Sequence, residues 1–138
     1  MASGLYNRLK YNLMKKLVDL SGDTFKVILL SNLHVFNPDN NVLTDINSNE
    51  LAAAGNYVNG GAALGSPTVT QDDVNDCATF DALDVVWASA SFTAYQAAIY
   101  DSTVSNNLVA SIDFGGAKTV AAGTFTINWS ANGIIRLS

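Results

Sequence analysis

Histidine, cysteine and glutamate occur once each in this sequence, as His34, Cys77 and Glu50, and each scarcity closes off a kind of chemistry. One histidine allows no zinc site with more than one imidazole. A Ser-His-Asp or Cys-His arrangement would have to recruit His34, and no nucleophile-elbow or other local signature points to a partner for it. His34 therefore reads as a loop residue without a catalytic task. One cysteine permits neither an internal disulfide nor a cysteine-based zinc cage, which suits a reducing compartment. Cys77 opens a predicted strand, where it would act as a small buried apolar side chain. A lone glutamate gives no way to single out a carboxylate pair for glycoside hydrolysis. The pairs Gly60-Gly61 and Gly115-Gly116 lack the strand, glycine loop and Lys-Ser/Thr of a phosphate cradle, so they read as turns. The expectation is a chain without catalytic residues, cofactor or metal.

Long apolar runs are missing too. None approaches the roughly 20 residues of a membrane-spanning helix, and Lys10, Lys15 and Lys16 interrupt the windows where a signal peptide would place its apolar region. Positive charge is absent from most of the chain. Four of the seven basic residues (Arg8, Lys10, Lys15, Lys16) fall in the first sixteen positions, and none lies between Lys26 and Lys118, where ten acidic residues do. A sequence-general nucleic-acid binder needs a basic face; this body would repel phosphate. The asymmetry leaves two readings: plain solubility, or docking of the basic segment on an acidic surface, including that of another protomer. Asp72, Asp73 and Asp76 are the best candidates for an ion, but they lack the alternating Asp/Asn and central glycine of a calcium loop and read as a solvated turn.

At 138 residues with 49% hydrophobic and 14% charged content, the chain suits one domain, residues 1–138, with a substantial core. Leu5, Leu9, Leu13, Leu17 and Leu20 form one stripe and predict an amphipathic helix over 3–20, with Gly22 just past its end. Tyr11, Met14 and Val18 form a second stripe on another face, a candidate contact with another chain. From 24 onward the sequence is punctuated at strand intervals. "TFKVILL" (24–30) is almost continuously apolar, as an interior strand would be. Residues 31–45 form a long loop with a turn at Asn37-Pro38-Asp39, a short helix is expected over 46–54, and Asn59-Gly60-Gly61 marks a turn. Asp72–Asp76 reads as a hairpin connection. "DVVWA", "SFTAYQAAIYD", "NLVASIDF", "GTFTINW" and "GIIRL" then read as five short strands. Together these predict an α+β, mainly β fold, one helix packed on an antiparallel β-sandwich or barrel-like sheet. In the closing stretch, alternation pairs Trp129 with Ile135 and Ile127 with Leu137 and predicts a C-terminal β-hairpin with Gly133 left-handed.

Four stretches, "GLYNRLKYNLMKKLVDLSGDTFKVILL", "GNYVNGGAAL", "TFDALDVVWASASFTAYQAAIYDS" and "LVASIDFGGAKTVAAGTFTINWSANGIIRLS", together resemble small structural proteins of tailed phages and prophages. The resemblance covers nearly the whole chain and rests on structural motifs. It implies a virion component, expected to be a capsid decoration (cement) protein on the outer face of the major capsid lattice, made in the bacterial host cytoplasm. Its expected partners are the major capsid protein and further copies of itself, as a dimer or trimer, with neither nucleic acid nor membrane. Candidate contacts are Arg8, Lys10, Tyr11, Met14, Lys15, Lys16 and Val18, with His34 and Phe36 from the long loop. The alternative within the virion is a tail, head-fibre or adsorption component that recognises a host glycan or protein. Tyr57 and Tyr95 are its candidate exposed aromatic residues.

Overall fold

The computed structural model describes residues 3–138, so Met1 and Ala2 lie outside it. The chain is mainly β with one helix. Its elements are β1 (Gly4–Leu5), α1 (Asn7–Met14), β2 (Phe25–Leu30), β3 (Ala62–Ala63), β4 (Thr68–Asp72), β5 (Cys77–Asp81), β6 (Val85–Asp101), β7 (Asn107–Ile127) and β8 (Ile135–Leu137). They form a five-stranded sheet in the order β1-β7-β6-β2-β3 and a three-stranded sheet in the order β4-β5-β8. Every strand pairing is antiparallel.

The unbroken hydrophobicity of β2 has a direct cause: both faces of this strand are covered. Phe25, Val27 and Leu29 point into one core with Leu9, Phe80, Ile99, Val109 and Ile135, where the three-stranded sheet and the helix close over the larger sheet. Phe25 meets Phe80 edge-on across this layer, with ring centroids 5.4 Å apart. Ile28 and Leu30 point the other way, into a second cluster with Tyr6, Ile46, Ala98, Tyr100 and Leu108. The long loop after β2 lies over that side and supplies Phe36 and Leu43.

The helix is shorter than the predicted 3–20, for a different reason at each end. Gly4 and Leu5 are drawn into β1 by pairing with Ser111 and Ala110, and Tyr6 stays extended. At the other end the chain turns back at Lys16, whose φ is +58°. Lys16 N–H donates to the Leu13 carbonyl at 3.2 Å and Leu17 N–H to that of Asn12 at 2.8 Å, the paired bonds of a Schellman ending. Leu17, Val18 and Leu20 therefore lie beyond the helix. The short helix expected over 46–54 is also absent: two single 3-10 turns, Leu43–Asp45 and Asn47–Asn49, precede an extended run. The turns at Asn37–Asn40 and Val58–Gly61 form as expected, each closed by a backbone hydrogen bond.

The segments expected as four separate strands between 84 and 129 are instead two long ones, β6 and β7, paired from the Asp101–Asn107 turn out to Val85 and Ile127. The Ser-, Gly- and Ala-rich clusters that read as breaks are bulges. Between Trp87 and Ala90, β6 holds one residue too many, with Ser89 at φ +50°; between Gly123 and Val120, β7 does, with Ala122 at φ +46°. A larger excursion at Phe114–Ala117 carries Gly115 at φ +77°. The predicted C-terminal hairpin does not form. Ile134 N–H donates to the Phe80 carbonyl at 2.8 Å, and β8 pairs with β5 instead of turning back onto the free edge of β7. Ile127 and Ile135 share one core as expected, but they come from different sheets. Gly133 is left-handed at +87°, and a side chain there would strike Thr79 and Phe80.

Candidate interaction surface

β6 beyond Gln96 and β7 beyond Asp113 extend past their neighbours β2 and β1 as a two-stranded ribbon. The outer edge of the β6 half is covered by the loop around Gly55. Asn56 Nδ2 donates to the Ala88 carbonyl at 2.7 Å, and a Cβ on Gly55 would meet the Ser89 carbonyl. The β7 half differs: among the described residues no strand lies along its outer edge from Lys118 to Thr126. An open groove of about 670 Å³ meets that edge at Lys118, Phe125 and Thr126 and is walled by Leu5, Ile112, Phe114, Phe125, Trp129 and Ile134. Lys118 is the one charged side chain in its lining.

The groove is held rigid from behind by a chain of rings. Phe125 lies 5.0 Å from Phe92, 6.1 Å from Trp87 and 6.1 Å from Phe114, and Tyr57 closes the set at 5.9 Å from both Trp87 and Phe92. Trp129 is pinned by its indole N–H, which donates to the Leu83 carbonyl at 3.0 Å, and by its backbone N–H, which donates to Asp84 at 2.9 Å. The indole thus presents its ring to the groove with its donor already engaged. Such a surface offers apolar contact and an open backbone edge, but few free polar groups.

The nine residues expected as contacts divide into two groups. Lys10, Tyr11, Met14, Lys15 and Lys16 are exposed around the C-terminal half of the helix. Arg8 is half-buried beside them, its guanidinium 5.5 Å from the centre of the Tyr11 ring and its Nε donating to Asn41 at 3.1 Å. The other three pack against the fold, Val18 and Phe36 partly and His34 fully. Val18 packs against the main core because the helix has already ended. Phe36 stacks edge-on against Tyr6 at 5.1 Å. His34 is 1% exposed, and its carbonyl accepts Gln96 Nε2 at 2.8 Å. Burial holds its imidazole below the ordinary histidine range, so it sits neutral inside the fold.

Tyr57, expected as an exposed aromatic, is also buried. Tyr95 is half-buried. The carboxylate of Asp72 is spent on its own turn, accepting from Val74 N–H, Asn75 N–H and Asn75 Nδ2. Among the described residues no group of three or more acidic, histidine or cysteine side chains is placed to hold a metal ion, and no helix is long and apolar enough to cross a membrane. The groove itself was not anticipated: aromatic residues at strand spacing read as core. Gly115-Gly116 directly after Phe114 was the available sign that the strand bulges there and leaves that ring at a margin. No family model matches the chain, and no curated protein or solved structure matches it either.

Proposed function

We propose that the chain is a non-enzymatic structural protein of a tailed-phage virion, a capsid decoration protein that binds the outer face of the major capsid lattice. The observation that supports this reading is the aromatic groove beside the bare edge of β7. An open strand edge with a single charge is a template for one more strand, and the groove would take the alternate side chains of that strand. An extended segment of a capsid subunit added there would tie this rigid domain to the shell. Binding only to the expanded shell then stabilises it by mass action. Undecorated capsids incubated with the protein should rupture at a higher temperature, and Phe114→Glu, which places a charge in the groove, should abolish the gain. No rise with the unaltered protein would sink the proposal. The same rings favour a second reading, a tail or head-fibre component that stacks host sugars. That reading requires cell-surface glycans to shift the Trp129 fluorescence.

A further inference from the structure

Two exposed apolar side chains stand out, Val74 at 91% and Met14 at 89% exposure. Each sits among charges mostly of one sign, with Asp19 beside Lys16 and Leu17 on the helix side and Arg136 beside Asp72 and Asp73 on the other. Met14 is followed by Lys15 and Lys16, with Lys10 one turn before it, and Tyr11 and Leu17, each about half exposed, widen the apolar centre. Val74 tops the β4–β5 hairpin between Asp73 and Asp76, both exposed. The hairpin is built to hold it there: Asp72 accepts the N–H groups of Val74 and Asn75 at 3.1 Å, and Gln71 Nε2 donates to Asp73 at 2.6 Å. The Schellman ending at Lys16 fixes the helix side in the same way.

We infer that these two surfaces bind each other between copies of the chain: the Met14 face of one protomer meets the Val74 hairpin of another. Charge of predominantly opposite sign borders an apolar centre on the two sides, the arrangement that steers encounter and fixes orientation while the centre supplies burial. A charged ring would repel a second copy of the same patch, so pairing like with like is disfavoured and helix-to-hairpin pairing remains. Every chain carries both halves. A two-fold dimer therefore makes the contact twice, and a closed ring makes it once per subunit. This contact forms in solution without a capsid, so it stands or falls apart from the proposed function.

Charge exchange tests it. The unaltered protein should sediment as a dimer or small ring, and raising salt should weaken the assembly. Lys15→Glu/Lys16→Glu gives a helix face and a hairpin that are both negative, and Asp73→Lys/Asp76→Lys makes both positive; each variant should sediment as a monomer, with association weakened roughly tenfold or more. Mixing the two variants restores opposite signs wherever unlike copies meet, at both contacts of a two-fold dimer and all round an even-membered ring, so a mixed assembly should return. Met14→Ser and Val74→Ser, which leave the charges intact, should weaken association without altering the far-ultraviolet dichroism spectrum. A monomeric unaltered protein, including one that binds acidic vesicles instead, would overturn the inference. Association that survives both charge reversals, or a mixture that stays monomeric, would overturn it equally.

Discussion

The hydroxyl of Tyr57 donates to Glu50 Oε1 at 2.8 Å while accepting the N–H of Leu29 at 2.9 Å. The only glutamate in the chain is thus a structural acceptor. The same oxygen takes the Gly60 N–H at 2.8 Å, and Tyr100 donates to the Gly60 carbonyl at 2.6 Å. These bonds clamp the 50–61 segment against β2. Burial pushes the Tyr57 phenol above its ordinary range, and the Glu50 carboxylate adds to that. Tyr57→Phe keeps the ring but strands the buried Leu29 N–H and takes one donor from Glu50, and should cost about 1–3 kcal/mol in urea unfolding. An unchanged midpoint would show that the clamp contributes nothing to stability.

Lys16 occupies a left-handed position that a glycine would fill without strain. Lys16→Gly should raise stability by roughly 0.5–1 kcal/mol. Loss of stability would mean that the lysine side chain supports the helix end.

Stability should depend on pH through Asp101. Its carboxyl is buried and lies beside that of Asp23; desolvation first, then the hydrogen bond and charge of Asp23, raise it to about 7. An unfolded aspartate titrates near 4. The native state therefore binds the extra proton between these values, and this group's contribution is full below about 4 and lost as pH rises through about 7. His34, held neutral by burial, acts in the opposite sense, favouring the unfolded chain as pH falls below its ordinary value. Asp101→Asn should stabilise the protein at pH 8 relative to pH 5 and leave the acid-side loss from His34 exposed. Parallel curves for the two proteins across this range would contradict the assignment.

Two left-handed glycines should behave differently. Gly61, at φ +77°, lies against the Val27 carbonyl, where a Cβ has no room, whereas Gly115, also at +77°, has nothing within 4 Å of that position. Gly115→Ala should cost only the backbone strain, about 1–2 kcal/mol. Gly61→Ala adds a clash with β2 and should lower the thermal midpoint much further. Similar midpoints would show that the 58–61 turn can move off β2.

Legibility in the sequence followed locality. β2 was readable because burial on both faces leaves a continuous apolar run, and the turns at Asn37–Asn40 and Val58–Gly61 because their residues suit only turns. The helix end was not, since Lys16 adopts a conformation that its side chain does not advertise. Leu17 and Leu20 continue the helical spacing by coincidence while the backbone has already turned. Ser89 and Ala122 hid the length of β6 and β7, because small polar and alanine-rich clusters read equally as turns and as bulges. Ile135 was recognisable as core, but its partner strand, some 55 residues earlier in the chain, was not. The groove depends on which edge of β7 stays bare, a property of the whole topology.

The bulges at Ser89 and Ala122 lie on opposite strands of one ribbon, and each is absorbed where it occurs: Trp87 pairs Phe125, Ala90 pairs Gly123 and Phe92 pairs Val120 on either side of them. A surplus residue that the ladder swallows does not change which face its neighbours occupy. Removing Ser89, or Ala122, would leave one residue opposite one at that point, so the flanking pairs and their faces would be kept while the local twist relaxes. These two positions are therefore where the ribbon can lose a residue without disturbing its rings.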